Sequence, residues 1–202
     1  MSRKDMERKQ RRQILMDAAE KVFGRKPFDE ATMQEVAAEA QIGMQGLYEH
    51  FPSKQDLYEQ IILQRAEELS GRGDEALDSS TDAMEALHRL ARAYADLFRE
   101  RPMFLPMFAM EKIRYDWNIE SRFTARIHEV YERERGRVAD LIARLRDAGK
   151  LRQLPVEFMT HLCMDALNAS LWYHHRYETD EEVDTCVERA MRCFLAGAGT
   201  GG

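Results

Sequence analysis

The sequence predicts an all-α fold, a small N-terminal domain joined to a larger helical body, with about nine helices in all. Apolar residues recur at three- and four-residue spacing along nearly the whole chain, and no segment alternates apolar and polar residues as a half-buried strand would. Glycine and proline fall between the periodic segments. The expected organisation is a first domain over 1–54 with a basic N-terminal arm, a connecting helix over 55–73, a second domain over 74–196 and a flexible tail over 197–202.

Each element has its own signature. Ile14, Leu15, Ala18, Ala19, Val22 and Phe23 share one face of a first helix over about 4–23, and Gly24 reads as its stop. Thr32 and Glu35 have the spacing of a capping box that opens a short second helix, with Met33, Val36, Ala37 and Ala40 inward. A break at 40–43 precedes a third helix over 44–51, which Pro52 ends. Ser53 can cap a fourth helix carrying Leu57, Ile61, Ile62, Ala66 and Leu69, and Gly71 and Gly73 read as its close. Met84, Leu87, Leu90, Ala91, Tyr94, Leu97 and Phe98 mark a fifth, before Pro102. A sixth over 103–113 is very apolar and tolerates Pro106 only near its first turn. The seventh, over 119–148, turns Phe123, Ile127, Val130, Val138, Leu141, Ile142 and Leu145 inward. Pro155 opens an eighth reaching about Tyr177, and Asp180 or a neighbour caps a ninth.

Composition bounds the partners. No run of about 18 apolar residues is present to cross a membrane. The start MSRKDMERKQRRQ is too charged for a signal peptide. Cys163, Cys186 and Cys193 are an odd, late set that makes no disulfide framework, which suits a reducing cytoplasm. Net charge is −6, which alone argues against a polyanionic partner. Residues 1–12 nevertheless hold Arg3, Lys4, Arg8, Lys9, Arg11 and Arg12 against Asp5 and Glu7, a net of +4 that leaves −10 on the rest. A cationic arm on an acidic body suits a polyanion bound at one end; the plain alternative is a solvated helix start.

The segment GMQGLYEHFPSK, residues 43–54, follows a short helix and a tight break, which is the layout of a helix-turn-helix. Gly43 and Gly46 remove bulk where backbone would approach a duplex, while Leu47 and Phe51, four apart, pin the helix to a core. Gln45 can pair bidentately with an adenine edge and Met44 can touch a thymine methyl. Tyr48 and His50 have polar tips suited to phosphate, and Lys54 lies in the first turn of the next helix.

Residues 28–58, FDEATMQEVAAEAQIGMQGLYEHFPSKQDLY, resemble the tetracycline-repressor (TetR) family of bacterial transcription regulators. Phe28, Thr32, Val36-Ala37 and the run from Leu47 through Lys54 carry the resemblance. It implies that Thr32, Tyr48, His50 and Lys54 contact phosphates and that Met44, Gln45 and Gly46 face bases of double-stranded operator DNA. Members often have Ala-Gly-Val-Ser in the turn, where this chain has Ala40-Gln41-Ile42-Gly43. Gln45 and Gly46 depart from the usual pattern too, so base preference should differ from the typical member.

For the body, the resemblance implies a ligand-sensing and dimerising domain and a repressor released by its ligand. Phe98, Met103, Phe104, Met107, Phe108 and Met110, with Trp117 and Phe123, could line an adaptable apolar pocket or serve as ordinary core. A hydrophobic or aromatic small-molecule effector is the expectation, with Tyr94, Asn168 and Trp172 as polar contacts. Ala166, Ala169 and Ser170 form a small-residue stripe on the eighth helix, flanked by Leu162, Tyr173, Val187, Met191, Phe194 and Leu195. These either pair the two C-terminal helices with a second copy, giving a homodimer, or close the monomer core.

Rival readings have thinner support. Glu85 and His88 fit one Glu-x-x-His motif, whereas a di-iron bundle enzyme needs two. Gly71-Arg-Gly73-Asp-Glu-Ala76 resembles a dinucleotide motif but lacks a preceding strand, so it reads as an interhelical turn. His161, His174 and His175 would make a metal sensor, yet adjacent helical histidines point about 100° apart. Cys186 and Cys193 lie about 10 Å apart along a helix, so a redox switch would need Cys163 or a second subunit. The expectation is a regulator, not an enzyme, with no cofactor and no metal.

Overall fold

A computed structural model describes residues 2–78, 82–116, 124–177 and 180–199. Among them the chain forms α1 (Arg3–Arg25), α2 (Met33–Glu39), α3 (Met44–Tyr48), α4 (Lys54–Asp78), α5 (Ala83–Glu100), α6 (Phe104–Asp116), α7 (Ala125–Asp147), α8 (Val156–Tyr177) and α9 (Val183–Ala198). The fold is all-α, as helical periodicity predicts. Two compact units divide it: Met1–Arg65 with Met103–Ile127, and Ala66–Pro102 with His128–Gly202.

In the first unit, α1 packs on α2, and Leu15, Ala19, Val22 and Phe23 of α1 are buried together with Val36 and Ala37 of α2, Leu47 of α3 and Leu57, Tyr58 and Ile61 of α4. Phe23, Phe28 and Tyr58 form an aromatic trio with centroids 4.9–5.9 Å apart. Beneath it, Arg65 is almost wholly enclosed and donates to Glu20 at 2.9 Å and Asp17 at 2.8 Å, tying α4 to α1 through charge. Gly24 is not a stop: α1 continues to Arg25. A Cβ at Gly24 would lie 2.6 Å from the Met103 Cβ and 2.8 Å from its carbonyl oxygen, so glycine is there for lack of room. Pro106 sits in the first turn of α6, where its missing N–H costs nothing.

In the second unit, α8 and α9 pack along their lengths, burying Met159, Cys163, Leu167 and Leu171 against Val183, Cys186, Val187, Ala190, Met191 and Phe194. Leu87, Ala91 and Ala95 of α5 join that core. Gly71 and Gly73 do not close α4 and do not form an interhelical turn, because the helix runs through both to Asp78. A Cβ at Gly73 would meet the Arg137 guanidinium at 2.6 Å and the Glu134 carboxylate at 3.0 Å. Arg137 also donates to the Ser70 carbonyl at 2.8 Å, and Arg133 donates to its hydroxyl, so α7 holds this stretch helical. The expected start of the seventh helix at Ile119 lies outside the described residues. The ninth helix also outlasts expectation: Gly197 and Ala198 are helical, and Gly199 pairs with Leu151 in an isolated bridge.

Candidate nucleic-acid interface

Thr32 caps α2 in an extended conformation, φ −123° and ψ 152°, and its hydroxyl accepts from the Glu35 amide at 3.2 Å. Glu35 returns the bond by accepting from the Thr32 amide at 2.9 Å, which completes the capping box. Lys26 donates to the same carboxylate at 2.5 Å. That bond first, then those from Thr32, holds the Glu35 carboxyl down at about 2. The Thr32 hydroxyl and amide, expected at a phosphate, are thus both engaged with Glu35 in the free protein.

The turn after α2 closes by two backbone bonds, from Ile42 to the Ala37 carbonyl at 3.0 Å and from Gln41 to the Ala38 carbonyl at 3.1 Å. These are the 6→1 and 5→2 bonds of a Schellman motif, whose residue after the cap must be left-handed. Gln41 occupies that position with φ +55°, so this chain holds a glutamine where glycine is free of strain. Gly43 then caps α3 with no side-chain bond, and a Cβ there would touch nothing.

Leu47 and Phe51 are fully buried and pin α3 to the core. Regular helix stops at Tyr48 rather than Phe51, although bonds from His50 and Phe51 to the Leu47 carbonyl keep the next turn compact. Gln45 stands exposed, Tyr48 is 49% exposed, and Met44, Gly46 and His50 are half-buried. The face expected to read bases therefore combines one long polar side chain with two glycines that clear space around it.

The cations behind this face have distinct tasks. Lys54 donates to the carbonyls of Phe28 at 2.7 Å and Ala31 at 2.8 Å while lying over the Phe28 ring. Its ammonium braces the loop that leads into α2, a placement the resemblance to phosphate-binding lysines did not anticipate. Arg12 donates to the His50 carbonyl at 3.0 Å and stacks 4.2 Å over the Phe51 ring, docking α1 on the end of α3. Arg3, Lys4, Arg8, Lys9 and Arg11 remain exposed along α1, which is helical from Arg3 because Ser2 and Asp5 form their own capping box. Lys4, Arg8 and Arg11 share a groove with Glu49 and His50. Burial first, then Arg8, Arg11 and Arg12 against the opposing Glu49, holds the His50 imidazole below its usual value, so it is neutral near pH 7.

The expected effector residues fall in both units. In the first, Phe104 and Met107 are buried and Phe108 tilts against Phe104 with centroids 5.5 Å apart. In the second, the Tyr94 hydroxyl donates to the Asn168 side-chain oxygen at 2.7 Å, and burial pushes the phenol above its ordinary range. Phe98 is buried with the edges of His174 and His175 beside it, lining a cleft of about 270 Å³ that sequence reasoning did not single out. Trp172 is 54% exposed: with Leu167 and Leu171 directed inward, its helical phase carries it to the outer face. Trp117 and Phe123 lie outside the described residues.

The small-residue stripe divides in the same way. Ser170, Met191 and Phe194 belong to the monomer core, where Ser170 donates to the Cys186 carbonyl at 2.8 Å, so they are not open to a partner. Leu162, Ala169 and Tyr173 are exposed and Ala166 is half-exposed, with Phe158 extending the face that they share. Among the described residues, no three His, Cys, Asp or Glu side chains converge as metal ligands. Cys163 and Cys186 are buried and Cys193 exposed, all free; burial pushes the Cys163 thiol up to about 12, which suppresses its thiolate.

Residues 15–61 match the family described as bacterial regulatory proteins, tetR family. That match covers the helix-turn-helix segment. The chain is similar to the transcriptional activator FasR of Mycolicibacterium smegmatis, 27% identical over 94% of this chain and 84% of FasR. To the regulator YhgD of Bacillus subtilis it is 26% identical over 48% of this chain, and it spans about half of YhgD, 51%. The ketosteroid regulator KstR2 of Mycobacterium tuberculosis shares the fold at a TM-score of 0.79 and 19% identity, over 95% of this chain and 96% of that one. FadR of Bacillus subtilis, solved with stearoyl-CoA, does so at 0.73 and 12%, over 92% and 98%. FasR, KstR2 and FadR are transcriptional regulators rather than enzymes. No described helix is long and apolar enough to cross a membrane.

Proposed function

We propose that this TetR-family regulator represses transcription by binding a two-fold operator as a homodimer, and that a hydrophobic small molecule releases it. The observation that carries the DNA reading is the α2–turn–α3 unit, anchored by Leu47 and Phe51 while Gln45 and Tyr48 stand clear of the surface. Gln45, Met44 and the backbone at Gly46 read base edges. Tyr48, His50 and the cationic face of α1 meet phosphates, and Thr32 and Lys54 hold the α2 entry in place, with phosphate contact through that segment.

Dimerisation uses the exposed α8 face of Phe158, Leu162, Ala166, Ala169, Tyr173 and Tyr177, an apolar stripe too long to be left in water by chance. Two-fold pairing sets the recognition helices about 34 Å apart, one DNA turn. The effector reading draws on the half-buried Tyr94–Asn168 pair between α5 and α8, and on structural neighbours of which one is named for ketosteroid and one was solved with stearoyl-CoA. Effector binding acts by favouring a conformation that fits the half-site spacing less well.

Selection from a randomised duplex library, followed by titration at two salt concentrations, tests the DNA reading. Affinity should fall steeply with salt, and removing residues 1–12 should flatten the slope. Salt-independent binding, or none, refutes it. Acyl-CoA and steroid compounds should raise the melting temperature and release the DNA; a reporter that falls silent on release would make the protein an activator instead.

A further inference from the structure

We propose that Glu49 is a positioning residue for base recognition, its carboxylate holding the Gln45 amide in the orientation that accepts adenine and rejects guanine. This rests on the base-reading role of Gln45 given above. Helical geometry continues past α3 to Glu49, φ −64° and ψ −24°, and the Glu49 amide bonds the Gln45 carbonyl at 3.0 Å. The two side chains therefore stand on one exposed face, four residues apart. Gln45 Nε2 donates to Glu49 Oε1 at 3.3 Å.

An ionised carboxylate only accepts, so the NH₂ side of the amide must face it; a flipped amide would set oxygen against oxygen. The Gln45 oxygen and its second N–H then look outward together. An acceptor beside a donor complements the N6–H and N7 of adenine, whereas guanine offers acceptors at both positions. Among the described residues no other side chain is bonded to the Gln45 amide: a Cβ at Gly43 would meet open space, and one at Gly46 would touch only the Ile42 side chain at 3.8 Å. Glu49 also places a negative charge beside His50, Arg8 and Arg11, which works against phosphate binding. Its orienting role accounts for an acid on a face that otherwise suits DNA.

The test selects preferred duplexes for the full-length protein and for Glu49→Ala, Glu49→Gln, Gln45→Ala and the double alanine variant. The unsubstituted protein should prefer adenine at one position per half-site. Glu49→Ala should reduce the adenine-over-guanine ratio there by about tenfold, while binding unrelated DNA more tightly. Glu49→Gln should lose the same discrimination, since a second amide can face Gln45 in either orientation. Adding Glu49→Ala to Gln45→Ala should change that ratio no further. Tighter binding to all sequences with the adenine preference intact overturns the proposal, as does a preference for another base. A Gln45→Ala variant with unaltered preference removes the base-reading role itself, and an unsubstituted protein without sequence preference removes the DNA reading, each taking the proposal with it.

Discussion

Replacing Arg65 by methionine should destabilise the protein by about 3–5 kcal/mol, the loss expected when one member of a buried ion pair is removed. The Arg65 side chain is 1% exposed and that of Glu20 5%, with 2.9 Å between them. Methionine fills much the same space and supplies no positive charge, so the Glu20 carboxylate stays where water cannot solvate it. The Asp17 bond adds little, because that side chain is 37% exposed and such pairs contribute at most about 1 kcal/mol. Glu20→Leu in the same chain removes the stranded charge and should recover most of the loss. Urea unfolding followed by circular dichroism measures both variants. With a slope of about 2 kcal/mol per molar, the single variant should unfold about 1.5–2.5 M earlier. A midpoint shift under about 0.5 M, or a double variant no more stable than the single, would refute the claim that an enclosed charge pair fastens α4 to α1.

Three further outcomes follow from the interface. Gln41→Gly should raise the melting temperature, since relief of the left-handed conformation exceeds glycine's extra freedom in the unfolded chain by about 0.5–1 kcal/mol; a lower melting temperature would contradict it. Lys54→Met strips charge-assisted bonds from the Phe28 and Ala31 carbonyls and should cost about 2–3 kcal/mol in thermal unfolding, with DNA affinity weakened alike for all sequences. Unchanged stability would show that the ammonium does not brace the loop. DNA affinity should strengthen as pH falls toward the free-state value of His50, which burial and then Arg8, Arg11 and Arg12 hold below the usual imidazole range, because an approaching phosphate favours its protonated form. His50→Gln should flatten that dependence, and a pH dependence that survives the substitution would assign it elsewhere.

Much of the fold is legible because its signals are local. The Thr32–Glu35 capping box and the four-residue spacing of Leu47 and Phe51 each act within a helical turn, and the structure realises both, whereas α3 ends at Tyr48, before Pro52 can stop it. Gln41 was not legible: without the usual glycine no letter marks the left-handed position, and only the backbone bonds of the turn reveal it. Nor were the glycines. A glycine that ends a helix and one that makes room for a neighbour are the same letter, and only Met103 beside Gly24, or Arg137 and Glu134 beside Gly73, separates the cases.

By itself, then, the sequence determined that the chain is helical, roughly where each helix begins, and which short segment carries the DNA-reading pattern, since backbone bonds and caps are set by near neighbours; where α3 and α4 end it did not. Tertiary structure alone decided what each side chain meets. Periodicity marks a face as apolar without saying whether α9 or a second chain covers it, which is why Ser170, Met191 and Phe194 proved internal while Leu162 and Tyr173 stayed exposed. A lysine's charge suits a phosphate and a carbonyl equally, and only the approach of residues 28–31 to the start of α4 turned Lys54 inward.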